Sequence, residues 1–144
     1  MKKINKKILF IEDEKYQRDL YYKIFTEAGY KFKAINDPKN ALKIIQREKP
    51  DLVLLDLVFS INGQLIMNKS REKGFNFLKR LKQNIKTKNI PIIMVSNLSA
   101  KGKHKAKALK LGADEFLNKA KILPHELIKI VEQILEKEKT TSAR

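Results

Sequence analysis

The sequence predicts an α/β fold: a doubly wound, five-stranded parallel sheet in the order 2-1-3-4-5, carrying five helices. Three observations lead to it. Short apolar runs alternate with amphipathic stretches along the whole chain, the pattern of strands joined by helical crossovers. Two of the runs, Asp51–Asp56 (DLVLLD) and Ile90–Val95 (IPIIMV), are apolar nearly throughout, as strands covered on both faces must be. Crossovers between parallel strands are right-handed, which wraps helices over both sides of the sheet.

The elements follow in order. Lys7–Ile11 (KILFI) is the first strand. Residues 14–28 read as a helix, because Leu20, Tyr21, Ile24, Phe25 and Ala28 recur at spacings of three and four, and Gly29 closes it. Lys31–Asn36 is the second strand. Asp37-Pro38 then supplies a cap and a first-turn proline for a helix that turns Ala41, Leu42, Ile44 and Ile45 inward and ends before Pro50. The third strand, Asp51–Asp56, is central. The stretch from Leu57 to Lys73 has no clear period, and Asn62-Gly63 within it is a turn signal. A helix over 74–85 uses Phe77, Leu78, Leu81 and Ile85 as its stripe. Ile90–Val95 is the fourth strand, with Pro91 tolerated near its start. Residues 103–111 form a lysine-rich helix with Ala106 and Leu109 as its apolar side. Glu115–Leu117 is a brief fifth strand. Pro124 opens the last helix, with Leu127, Ile128, Ile130, Val131, Ile134 and Leu135 inward; a polar tail occupies 139–144.

Composition narrows the chemistry. A chain of 144 residues has room for one domain, and a 42% hydrophobic content supports a real core. The absence of cysteine excludes disulfides, thiolate zinc sites and cysteine nucleophiles. No apolar run approaches the roughly 20 residues that span a bilayer, and no signal-peptide pattern follows the basic N-terminus, so the expected setting is cytoplasmic. The net charge of +16 attracts acidic or phosphate-rich surfaces. The run Lys101, Lys103, Lys105, Lys107 and Lys110 reads first as the solvated side of an amphipathic helix. No helix-turn-helix, zinc finger or aromatic platform accompanies it, so sequence-specific nucleic-acid binding is not expected.

In open α/β sheets, ligands bind beyond the carboxyl ends of the strands where the strand order reverses, here between the first and third strands. Glu12 and Asp13 follow the first strand, Asp56 ends the third, Ser96 follows the fourth and Lys119 the fifth. Three carboxylates, one hydroxyl and one ammonium therefore converge on one rim. Carboxylates crowded together repel unless a hard cation lies between them, and oxygen donors of this kind suit Mg2+. Such an ion neutralises charge on a phosphoryl group, with Lys119 as a second positive charge and Ser96 as a hydrogen-bond donor. An aspartate can itself take up the phosphoryl group. Asp56 ends the doubly buried central strand and is the most rigidly held of the three, so it is the expected nucleophile. Taken singly, these residues have plainer readings: Glu12 and Asp13 as favourable charge before a helix, Ser96 as a loop residue, Lys119 as one lysine of many. Their coincidence at matching strand ends argues against those readings. His104 and His125 have no ligand partners at metal spacing and read as surface residues.

The constellation resembles the response-regulator receiver family over Ile8 to Leu135. The resemblance rests on ILFIEDE, DLVLLDL, PIIMVSN and LGADEFLNKA, four motifs in order, each at a strand end. It implies a receiver domain over 1–138 that accepts a phosphoryl group on Asp56 from a sensor histidine kinase or phosphotransfer protein. Glu12, Asp13, Asp56 and the backbone carbonyl of Val58 would hold Mg2+, and Ser96, Lys119 and the aromatic switch residue Phe116 would read the phosphate. The domain would signal as a stand-alone module through its fourth helix, fifth strand and fifth helix to a downstream protein, with a phosphorylation-dependent homodimer among the partners such a module allows. Val58 and Leu98 would flank the approach of water to the phosphate; being apolar, they imply slow hydrolysis.

The chain departs from the family pattern in three places. Phe59-Ser60 stand where Met-Pro is usual. The following glycine is displaced to Gly74, so Ile61–Lys73 reads as an insertion. Lys119 is followed by Ala120 instead of proline, and a cis bond there would cost about 2.5–4 kcal/mol, so trans is expected. Two other classes were weighed. An adaptor working through its basic surface without phosphate, by protein or nonspecific nucleic-acid contacts, does not need the full acidic set. A phosphatase usually needs a second carboxylate two residues beyond the nucleophile, where Val58 stands.

Overall fold

The computed structural model describes residues 3–56, 67–97 and 102–142. Its strands are β1 (Lys7–Ile11), β2 (Lys31–Ile35), β3 (Leu52–Asp56), β4 (Ile92–Ser96) and β5 (Glu115–Asn118). Its helices are α1 (Lys15–Glu27), α2 (Ala41–Glu48), α3 (Met67–Gln83), α4 (Gly102–Lys110) and α5 (Pro124–Ser142). The five strands form one sheet in the order β2-β1-β3-β4-β5, with every pair parallel, as the alternation of the sequence predicts.

The pleat sorts side chains onto two faces. Ile8, Phe10, Leu52, Leu54, Ile93 and Val95 point one way, where α1 and α5 cover them with Tyr21, Phe25, Leu127 and Val131. Leu9, Ile11, Val53, Leu55, Ile92 and Met94 point the other way, beneath α2, α3 and α4. All five residues of β3 and of β4 are buried, which accounts for their unbroken apolar sequence. β2 and β5 are the sheet edges; β2 exposes Lys31 and Lys33, and β5 is four residues long.

Helix ends follow local chemistry. Asp37 accepts from the Lys39 N–H at 2.8 Å and caps a 3-10 turn, Pro38–Asn40, that leads into α2. Gly29 ends α1 with φ 98°, a left-handed conformation that glycine adopts without penalty. The Lys119–Ala120 bond is trans.

Five expectations need correction. α3 begins at Met67, seven residues before Gly74, so the second half of the expected Ile61–Lys73 insertion is helix. Its lysines, arginine and glutamate are good helix formers even without an apolar stripe. Ile85, expected on that stripe, lies beyond the helix and is 80% exposed. On α4 the buried residue is Ala108, flanked by half-buried His104 and Leu111, whereas Ala106 and Leu109 face solvent. Leu20 of α1 is 38% exposed. In addition, α5 continues to Ser142, through most of the stretch expected to be a polar tail. No helix among the described residues is long and apolar enough to cross a membrane.

Candidate functional site

The parallel strands all end on one rim, and that geometry gathers the polar residues. Glu12 extends β1: its backbone N–H donates to Ile35 O at 2.9 Å, which drives the side chain into the sheet end with 1% exposure. Asp56 is the last residue of β3 and is 5% exposed, and Ser96 ends β4 fully buried. Asp13 follows Glu12 just before α1, less buried than the other two carboxylates. Carboxylate oxygens of Glu12, Asp13 and Asp56 lie within 4.8 Å of one another, as the strand order requires.

Lys119 enters from the turn after β5. Its backbone N–H donates to Ser96 O at 2.8 Å, so the chain ends that carry the hydroxyl and the ammonium are tied together. Its Nζ donates to Glu12 Oε1 at 2.5 Å and lies 3.7 Å from Asp56 Oδ1, with the side chain almost wholly buried. The trans bond to Ala120 therefore does not shorten its reach. Two carboxylates, of Glu12 and Asp56, thus face this buried side chain.

Two residues of α1 also belong here, Tyr21, which the sequence offered only as a helix-face residue, and Arg18, which it did not single out. Arg18 Nη1 donates to Glu12 O at 3.1 Å from the first turn of α1. Tyr21, stacked on Phe10, has its hydroxyl pKa driven well above its ordinary value, first by burial and then by the charges of Glu12 and Asp56. It stays protonated through the neutral range. Its signal in the sequence was only a tyrosine at a core position of α1.

Phe116 is 2% exposed and packs with Phe75, Met94 and Ala108 in the core under α3 and α4, so it is turned inward. His125 is exposed, and His104 packs beside Phe75 with ring centroids 6.4 Å apart. Val58, Leu98 and residues 61–66 of the expected insertion lie outside the described residues.

The three carboxylates outnumber the Lys119 ammonium, and they offer only hard oxygen donors. That donor set fits a divalent cation such as Mg2+, held by Glu12, Asp13 and Asp56. The same arrangement suits an incoming dianionic group only if positive charge meets it, which Lys119 and a bound cation would supply.

A family model described as the response regulator receiver domain matches residues 8–132. The chain is 31% identical over 136 residues to the phosphate regulon transcriptional regulatory protein PhoB of Pseudomonas aeruginosa, covering 93% of this chain and 53% of that protein. It is 31% identical over 137 residues to the alkaline phosphatase synthesis transcriptional regulatory protein PhoP of Bacillus subtilis, covering 93% and 50% respectively. The chain thus spans about half the length of the curated relatives it matches. Among solved structures, NtrX from Brucella abortus matches with a TM-score of 0.79 at 26% identity over 97% of this chain and 29% of that one. A CheY-like receiver domain protein from Methanospirillum hungatei matches with a TM-score of 0.77 at 20% identity over 96% and 99%, a likeness of fold.

Proposed function

The chain belongs to the response regulator receiver domain family, and on that premise we propose that Asp56 accepts a phosphoryl group from a phosphohistidine of a sensor kinase or phosphotransfer protein in the cytoplasm. The observation that carries this reading is the buried Asp56 carboxylate, 3.7 Å from the Lys119 ammonium within the three-carboxylate cluster.

A carboxylate oxygen of Asp56 attacks phosphorus. The P–N bond to the donor imidazole breaks as the O–P bond of an aspartyl phosphate forms, and the imidazole leaves with the electron pair. Glu12, Asp13, Asp56 and the Val58 carbonyl would hold Mg2+, which when bound would neutralise charge on the phosphoryl oxygens. Lys119, already beside Asp56, pairs with one of those oxygens, and the Ser96 hydroxyl donates to another. Because the Lys119 N–H is bonded to Ser96 O, movement at Ser96 reaches the turn after β5 directly. Phe116 lies between that turn and α4, and the α4-β5-α5 face carries the signal to a partner through a shift between pre-existing states.

The phosphate is long-lived in this reading. Val58 and Leu98, two residues beyond Asp56 and Ser96, have no polar side-chain atom with which to orient an attacking water. The domain performs only its own phosphotransfer and slow self-hydrolysis.

The test is incubation with Mg2+ and acetyl phosphate, read by intact mass. Wild type gains one phosphoryl group, Asp56→Asn gains none while keeping its circular dichroism spectrum, and EDTA abolishes the gain. Labelling of the Asn variant at the wild-type level overturns the assignment of Asp56. Val58→Asn with Leu98→Glu shortens the phosphate lifetime; decay of wild type within seconds overturns the long-lived reading.

A further inference from the structure

Charge is distributed unevenly over this fold. The helices α3 and α4 together hold ten Lys or Arg and one acid, Glu72; α1 and α5 hold six of each sign. A general lysine bias would enrich both sides of the sheet alike, and it does not.

The contacts orient this charge. α4 rests on the core through His104, Ala108 and Leu111. Lys107 Nζ lies 4.6 Å from the centroid of the Phe75 ring of α3, so the side of α4 that carries Lys107 faces α3. Lys103 and Lys110, at spacings of four and three from it, share that side and are exposed. Across the seam, Lys79 stands one turn beyond Phe75 on α3, also exposed. The outward crest of α4 is apolar instead: Ala106 is exposed, and Leu109 is 42% exposed. Lys105, on the far side of that crest, lies 3.8 Å from Glu115 and is partly neutralised. The result is an apolar ridge with a strongly basic flank along the α3–α4 seam.

We propose that this ridge and flank dock an acidic, amphipathic helical segment of a partner protein, whose apolar side covers Ala106 and Leu109 and whose carboxylates meet Lys79, Lys103 and Lys110. Charge complementarity selects an anionic occupant. The exposed leucine selects among anions. A nucleic-acid backbone gains little from an aliphatic ridge, whereas a helix laid along a groove takes its anchors from such residues. The inference rests on the proposed output role only in making the partner a protein. The binding is measured without phosphate, so failure at Asp56 and failure here are separable.

The probe is a fluorescein-labelled synthetic helix of glutamate, alanine and leucine with one apolar side. Its binding to the full chain is followed by anisotropy at near-physiological salt. A scrambled peptide of identical composition and a short DNA duplex serve as comparisons. We expect the amphipathic peptide to bind about tenfold more tightly than the scrambled one, and Lys103→Glu with Lys110→Glu to weaken it about tenfold. Leu109→Ser weakens it several-fold. The control pair Lys23→Glu and Lys129→Glu, which removes the same charge from α1 and α5, changes it less than about twofold. Equal loss in both pairs means attraction to net charge alone and overturns the proposal. So does equal binding of the two peptides, or tighter binding of the duplex with no effect of Leu109→Ser, which marks a nucleic-acid surface.

Discussion

The two sides of the sheet are built differently. Under α1 and α5 the core is aromatic: Phe10 stacks on Tyr21 with centroids 4.5 Å apart, Phe25 on Phe32 at 5.4 Å, and Tyr30 meets Phe25 edge-on at 5.9 Å. Under α2, α3 and α4 the core is mainly aliphatic, with Phe75, Phe77 and Phe116 among it, and the helices above carry an unbalanced positive charge. Aromatic rings bury large areas in fixed geometry, so the first side fixes the sheet. The second side relies mainly on aliphatic side chains, and its helices share them unequally. α4 in particular is anchored by one fully buried side chain, Ala108. The rim of carboxylates meets the aromatic side at Tyr21 of α1, whose hydroxyl pKa is raised first by burial and then by the charges of Glu12 and Asp56.

The largest expected effect separates the two cores. Phe25→Ala removes a fully buried ring in contact with three other aromatic side chains and should cost about 5 kcal/mol, against about 3 kcal/mol for Phe75→Ala. Urea unfolding measures both. Equal losses would mean that the aromatic side is not the stronger one.

A smaller effect sharpens the contrast in charge. Lys103 sits in the first turn of α4, where an acid is favoured by the helix dipole and surrounded by lysines. Lys103→Glu should raise stability by about 1 kcal/mol at low ionic strength, shrinking at high salt. Lys23 on α1 lies four residues from both Asp19 and Glu27, so Lys23→Glu should lower stability by about 0.5 kcal/mol. Thermal melts of both variants at low and high salt read the difference, and changes of the same sign would break it.

The smallest effect is at the join between α2 and the strands. Glu48 accepts from Lys33 Nζ at 2.6 Å and from Lys7 Nζ at 2.9 Å. These hydrogen bonds hold its pKa at about 2, from an ordinary 4.5. A carboxyl depressed by folding contributes stability above its unfolded pKa and loses it as pH falls through the folded one. The acid-unfolding curve of Glu48→Gln should therefore be flatter than wild type between pH 4.5 and 2. Parallel curves in that window would remove Glu48 from the account.

Much of this was legible in the sequence, and the lapses have physical causes. β3 and β4 declare themselves because burial on both faces leaves no room for polar residues. The rim residues follow once strand ends are aligned, because strand order alone brings Glu12, Asp13 and Asp56 together. The start of α3 is not legible, because Met67–Lys73 has no apolar period and Gly74, a residue that suggests a boundary, lies inside the helix. Leu109 outweighs Ala108 and His104 in hydrophobicity, so pattern alone points the wrong side of α4 inward, whereas the side that meets the core carries Ala108. The choice of Glu12 over Asp56 by Lys119 spans 107 positions and depends on distances that no local pattern encodes.

The sheet ends in two guarded edges. Along β2, Lys31 and Lys33 project into solvent, and a second copy approaching that edge would bring the same charges against them. β5 offers four residues for pairing, too few for a stable added strand. Strand addition, the usual beginning of aggregation in sheet proteins, is thus blocked at both margins. Concentrated solutions of this chain should remain free of edge-to-edge polymers.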